Sequence, residues 1–212
     1  MIRWRCVYFL VIAVGLVFQA GTALAHPNVW IKIASEIVYN EDGSIEDVRH
    51  SWTFDDMFST YALQGIHTKT EGVYTREELA PLAQTNIVSM KDADYFTFAE
   101  ADGKGQKLAD PIDYYFEYIN EALVLHFFLP MKTPFKPRQL TLEIFDPDYF
   151  IQFSLQEEEP IKLVGAPAAC TMTIQSPTDE ESTEKLRGQN SSGDANNSFG
   201  AAFADKIKVN CP

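Results

Sequence analysis

Apolar and polar residues alternate over residues 29–39 and 44–54, on either side of Asp42-Gly43. That is the pattern of a β-hairpin closed by a two-residue turn. Such a turn places Glu36 opposite Arg49 and Trp30 opposite Asp55. It also gathers Val29, Ile31, Ile33, Ile37, Val48, Trp52 and Phe54 on one face, an arrangement that a one-residue slip would scatter. Residues 55–64 (DDMFSTYALQ) open with carboxylates where a helix N-terminus favours them and predict a short helix. A second helix is expected over 75–91, where Thr75 and Glu78 have capping-box spacing and Leu79, Leu82, Ile87 and Met90 form a helical stripe.

Short strands are then expected at 95–100, 114–119, 122–129, 139–145, 150–155, 161–164 and 170–175. Turns at Asp102-Gly103, Asn120-Glu121 and Asp146-Pro147 separate them. Residues 176–198 are polar with almost no apolar side chains and read as a mobile loop. The expected architecture is mainly β: an antiparallel β-sandwich with two helices inserted after the first hairpin and a disulfide-closed C-terminus.

The first 25 residues stand apart from this pattern. A basic start (MIRWR) leads into an apolar run over 6–18, shorter than the roughly 20 residues of a membrane-spanning helix, and then into Ala23-Leu24-Ala25. This is the form of a cleaved secretory signal. The expected mature chain is a single β-rich domain over 26–212, exported and not membrane-inserted after cleavage. Processing removes Cys6 and leaves Cys170 and Cys211, the number that forms one bridge in an oxidising compartment, with two free thiols as the alternative. No Cys-x-x-Cys pair points to redox work. The whole chain carries 17 Lys and Arg against 30 Asp and Glu, a net charge of -13 that repels phosphate backbones and speaks against a nucleic-acid partner.

Cleavage after Ala25 would make His26 the terminal residue, whose amine and imidazole can chelate one transition-metal ion together. Metal must displace a proton from that amine, so binding should weaken in acid. The hairpin register puts position 26 across from Ser59, with Asn28, Asp55 and Asp56 near. His50 projects from the apolar face beside Trp52 and Phe54 and reads as a hydrogen-bonded core or edge histidine. His126 has the same reading, although it is the best candidate for a distant third ligand. Imidazole with oxygen donors suits zinc, nickel, cobalt or copper without selecting one.

Residues 67–78 match an EF-hand loop in part, with Gly72, Thr75 and Glu78 in place. His67 and Lys69 occupy positions that calcium needs as carboxylates, so calcium is not expected. No nucleophile elbow, dinucleotide fingerprint or phosphate loop is present, and the chain is not expected to be an enzyme.

Four segments in order, HPNVWI at 26–31, SWTFDDMFS at 51–59, GVYTREELAPLA at 72–83 and FDPDYFIQF at 145–153, resemble the bacterial domain-of-unknown-function family numbered 1007. ACTMT around Cys170 and NCP around Cys211 extend the resemblance to the end of the chain. It implies a periplasmic component of an ABC-type transport system, often encoded near nickel, cobalt or other transition-metal transport genes, with a membrane transporter or permease as partner. The family's mature start usually reads His-Pro-His, whereas Asn28 stands third here. The loop before the long helix is usually Asp-rich, whereas here it carries His67 and Lys69. Both departures imply weaker metal binding than in relatives. Asp55 and Asp56, together with Asp146 and Asp148, match family positions and keep their carboxylates, and they join His26 and His126 as candidate ligands. The expected function is handling of a divalent transition metal for a membrane transport system. The rival is a metal-free module that docks on a transporter or envelope partner through a sheet edge or an aromatic surface.

Overall fold

The computed structural model describes residues 28–188 and 198–212. Among these residues, eleven strands form two sheets, with three α-helices beside them. The first sheet contains β1 (Val29–Tyr39), β2 (Ile45–Phe54), β5 (Ile112–Ile119), β6 (Ala122–Phe135), β8 (Ile151–Leu155) and β9 (Ile161–Val164). Its order is β5-β6-β2-β1-β8, and β9 also pairs with β1. The second contains β3 (Thr97–Ala101), β4 (Lys104–Gln106), β7 (Gln139–Ile144), β10 (Thr171–Gln175) and β11 (Lys206–Asn210), in the order β10-β11-β7-β3-β4. Helix α1 is Asp56–Ala62, α2 is Arg76–Met90 and α3 is Asp179–Gly188. The expected mainly β sandwich with its helices between β2 and β3 is what the chain adopts. Two features go beyond it. Both β8 and β9 run parallel to β1, and β4 and β11 are additional strands.

The opening hairpin has the expected pairs, with Glu36 opposite Arg49 and Ile33 opposite Trp52. Its turn is different. The Asn40 N–H donates to Ser44 O and the Gly43 N–H to Asn40 O, both at 2.8 Å, and Gly43 has φ +83°, so the loop is one residue longer than a two-residue turn. The register shifts by one residue between Val38 and Tyr39, leaving Glu46 as an extra residue in β2. The longer loop and the bulge cancel, which restores the core face.

That inner face is shared by two partners. Ile31, Ile33, Trp52 and Phe54 join Phe116, Leu125 and Phe127 under Leu79, Ala83, Ile87 and Met90 of α2. Nearer the turn, Ile37, Ile45 and Val48 pack against Leu140, Leu142, Ile207 and Val209 of the second sheet. The capping box predicted for α2 is present. Thr75 accepts from the Glu78 N–H, and the Glu78 carboxylate accepts from the Thr75 N–H. Its other oxygen accepts from the Lys69 N–H at 2.9 Å, so Glu78 closes the 67–78 loop on its own backbone.

The expected loop over 176–198 is corrected in part. Its first half contains α3, and residues 189–197 lie outside the described residues. Thr178 and Glu181 form a second capping box: Thr178 Oγ1 accepts from the Glu181 N–H, and the Glu181 carboxylate accepts from the Thr178 N–H. Asp179, Glu180 and Glu181 lie in the first turn and Lys185 and Arg187 in the last, charges that match the helix dipole. Buried Ser182 donates to Ala202 O at 2.8 Å and anchors the helix. The Cys170–Cys211 disulfide forms as expected, across the end of the β10–β11 pair.

Candidate functional site

Position 26 lies outside the described residues, so the site begins at Asn28 and Val29. Their N–H groups both donate to Phe150 O, at 2.8 and 3.3 Å. The start of β1 is thus held on the strand that follows the FDPDYF turn, with Val29 opposite Ile151. Trp30 also binds Asp55 on its other side: its N–H donates to Asp55 Oδ2 at 2.8 Å, and the Asp55 N–H donates to Trp30 O at 3.0 Å. The predicted Trp30–Asp55 juxtaposition therefore holds, and β8 joins it as a neighbour that the hairpin alone did not suggest.

The candidate carboxylates divide into two kinds. Asp55 caps α1, its Oδ1 accepting from the Phe58 N–H at 2.8 Å while Oδ2 serves Trp30. Asp146 is buried and accepts from the N–H groups of Asp148, Phe150 and Ile151 at 2.9–3.0 Å. These three bonds shape the loop itself, as expected of a buried carboxylate, which must be satisfied by donors. Asp56 and Asp148 are exposed.

His126 lies elsewhere. Leu123, Leu125, Phe127 and Leu129 of β6 turn into the core, so His126 occupies the outer face of the first sheet, opposite Ser51 and Tyr115. Its ring stacks on Tyr115 with centroids 4.7 Å apart, and Nε2 lies 3.2 Å from Glu117 Oε2, an ion-pair distance without hydrogen-bond geometry. Arg76, at the start of α2, reaches over the edge strand. It places its guanidinium 3.6 Å from the Tyr115 ring centroid and 2.5 Å from Glu117 Oε1. Burial lowers the His126 pKa despite the Glu117 charge, with Arg76 adding to the lowering. The ring is therefore neutral near pH 7.

Sequence reasoning missed this Arg76–Tyr115–Glu117–His126 cluster, although a signal for it existed. A two-residue turn at Asn120-Glu121 already sets Tyr115 opposite His126 and Glu117 opposite Val124.

His50 is the hydrogen-bonded core histidine expected. It is only 2% exposed, and it lies between Ser35 Oγ and Thr97 Oγ1. Among the described residues, no group of three or more His, Cys, Asp or Glu side chains converges into a metal cage. Nor is any helix among them long and apolar enough to cross a membrane.

Beside the anchored start of β1, Tyr149, Phe199 and Phe203 pack ring against ring with centroids 4.8–5.4 Å apart. Phe199 and Phe203 remain exposed, and so does Trp30 on the outer face of β1. Gly200 joins this cluster to the Asp146 turn. A Cβ there would lie 1.8 Å from Asp146 O, so only glycine permits the approach.

A search among curated proteins gives no match. The model of the family described as protein of unknown function DUF1007 matches residues 11–211, nearly the whole chain, and the chain belongs to that family.

Proposed function

We propose that this protein is an exported, periplasmic accessory factor that binds a divalent transition metal at its processed N-terminus and passes it to or from a membrane transporter. The observation that carries this reading is the pair of hydrogen bonds from Asn28 and Val29 to Phe150 O. They hold the opening of the mature chain beside the turn that bears exposed Asp148. Two peptide units span at most about 7 Å, so an imidazole and amine at position 26 have that turn within reach. The donor set is then His26 with Asp148, and with Asp56 as the second exposed carboxylate. Asp55 and Asp146 build the backbone around it, and His126 sits on another face. Imidazole, amine and carboxylate together suit zinc, nickel, cobalt or copper.

Isothermal titration of the protein processed at Ala25 with each of these ions tests the proposal. Binding tighter than about millimolar, lost in His26→Ala and weakened in Asp148→Ala, is the expected result. No binding of any of the four removes the reading.

A second reading, metal-free docking on a transporter or envelope partner, draws on exposed Trp30, Phe199 and Phe203. Aromatic side chains at a surface supply large contact area at low entropic cost. Recovery of one membrane partner in the presence of chelator, undiminished by His26→Ala and lost in Trp30→Ala/Phe203→Ala, would favour it over the first.

A further inference from the structure

His126 stands on the outer face of the first sheet, away from the proposed metal site, and its two sides differ. On the β5 side one carboxylate serves two nitrogen groups. Glu117 Oε1 accepts from Arg76 Nη2, while Oε2 lies 3.2 Å from His126 Nε2, an atom cut off from solvent and without a hydrogen bond. The Tyr115 ring packs against both the guanidinium and the imidazole. On the β2 side His126 borders a cavity of about 270 Å³ that Glu36, Arg49, Glu159 and Lys162 also line. Arg49 is bonded to Asp47, Lys162 is paired with Glu159, and Glu36 stands between Arg49 and Lys162 in the ladder, so charges there are matched. The field on the ring comes from Glu117 and Arg76.

Arg76 is the first residue of α2, and the rest of that helix is fastened independently. Leu79, Ala83, Ile87 and Met90 are buried, and Gln84 accepts from the Tyr114 hydroxyl. The segment before it is held more lightly: residues 70–73 and Thr75 are exposed, and contact with β5 comes through the Tyr74 ring, 5.0 Å from Tyr118, and through Arg76. Glu117 stays ionised in weak acid, because the Arg76 bond holds its carboxyl below the usual range. His126 is the group that changes. Burial disfavours its charged form, Glu117 opposes that effect, and Arg76 adds to it. Coupling is reciprocal, so if docked Arg76 disfavours the imidazolium, the imidazolium disfavours docked Arg76 by the same factor.

We propose that Arg76, Tyr115, Glu117 and His126 form a latch on the start of α2 that acid releases: an imidazolium at His126 displaces the Arg76 guanidinium from Glu117 and Tyr115 and frees residues 70–76 from the edge strand. The imidazolium then keeps the carboxylate as its own partner, so release leaves no half-buried charge alone. The inference goes beyond the metal-handling reading and does not depend on it, so its test is run with chelator present.

Amide hydrogen exchange followed by NMR at pH 7.5 and 5, corrected for the intrinsic rate, tests the latch. The Val73 and Leu79 N–H groups, which donate to Thr70 O and Thr75 O, report on this segment. Their protection should fall in acid by about threefold more in the unaltered protein than in His126→Gln. His50 is present in both proteins, so its effect on global stability cancels. In Arg76→Gln protection at these amides should be low at both pH values. The His126 titration, followed by its ring proton shifts, should move upward by about 0.5 pH unit in Arg76→Gln, the reciprocal of a threefold coupling. This second measurement needs no replacement of His126, and the Arg76 side chain is 55% exposed, so its replacement leaves the core untouched. Protection that does not change with pH, an equal fall in His126→Gln, or a His126 titration that Arg76→Gln leaves unmoved or lowers would overturn the proposal.

Discussion

Ser35 and His50 face each other across β1 and β2 inside the sandwich, with Ser35 Oγ 2.8 Å from His50 Nδ1. On the far side of the ring, Nε2 lies 3.2 Å from Thr97 Oγ1, which itself donates to Tyr95 O. Thr97 has spent its proton on that carbonyl, so Nε2 carries the imidazole hydrogen and Nδ1 accepts from Ser35. This neutral tautomer satisfies every polar atom of the ring in the core and joins the two sheets.

Protonating the ring would place an uncompensated charge in the core, and burial lowers the His50 pKa from 6.5 to about 3. Between those values the unfolded chain takes up a proton that the native state refuses, so stability falls as pH falls through this window. The slope contributed by one such group is about 1.4 kcal/mol per pH unit. Urea unfolding between pH 7.5 and 5 should show the midpoint decreasing with acid, and the dependence should be shallower in His50→Gln. His126, whose pKa burial also lowers, adds in the same direction. A pH-independent midpoint over that range would contradict the assigned neutral state.

Gly200 is set against the Asp146 carbonyl closely enough that any Cβ must displace one of them. Gly200→Ala should therefore destabilise the protein by about 1–3 kcal/mol, the usual cost of overpacking a close-packed site. The damage should centre on the Asp146 turn and the Tyr149–Phe199–Phe203 cluster. Thermal unfolding gives the first quantity. Near-ultraviolet circular dichroism, sensitive to the packing of those rings, gives the second.

How much of this was legible in the sequence depended on whether the signal was local. The opening hairpin and its core face follow from alternation. The correct pairing of Glu36 with Arg49, however, arises through a longer loop offset by the extra Glu46, and a simple two-residue turn reproduces the result without the cause. The capping box at Thr178 and Glu181 was equally local, but it is hidden in a stretch whose composition suggests no order. The parallel pairing of β8 and β9 with β1 joins segments more than a hundred residues apart, and no period in either segment reports it.

The same limit applies to the site. Asp55, Asp56, Asp146 and Asp148 look alike as letters, and only the folded backbone shows that two of them accept main-chain amides while two face solvent.

The Cys170–Cys211 bridge closes a loop with a sequence separation of 41 and joins β10 to β11 next to Thr171 and Asn210. On the loop-entropy model a closure of this length contributes about 4 kcal/mol. Because the two strands are also held by their ladder, the reduced protein should remain folded at neutral pH and 25 °C while losing about 2–4 kcal/mol of stability. Urea titrations with and without dithiothreitol measure the difference. Unchanged midpoints would mean that the bridge constrains nothing in the unfolded chain.

Asp55 and Asp56 provide the sharpest separation of structural from ligand roles, because they are adjacent and chemically identical. Asp55→Ala removes an N-cap acceptor together with the acceptor of the Trp30 N–H. It should cost about 1–2 kcal/mol, with the Trp30 amide left to find water. Asp56→Ala removes an exposed first-turn carboxylate and should change stability by no more than about 0.5 kcal/mol. If Asp56 ligates a metal held by His26, its replacement lowers affinity without lowering the thermal midpoint of the metal-free protein. Asp55→Asn, which keeps one oxygen to cap the Phe58 N–H but turns an amide NH2 toward the Trp30 N–H, should restore only part of the stability lost in Asp55→Ala. A metal affinity that follows the midpoint across all three variants would mean that both residues act only by building the turn.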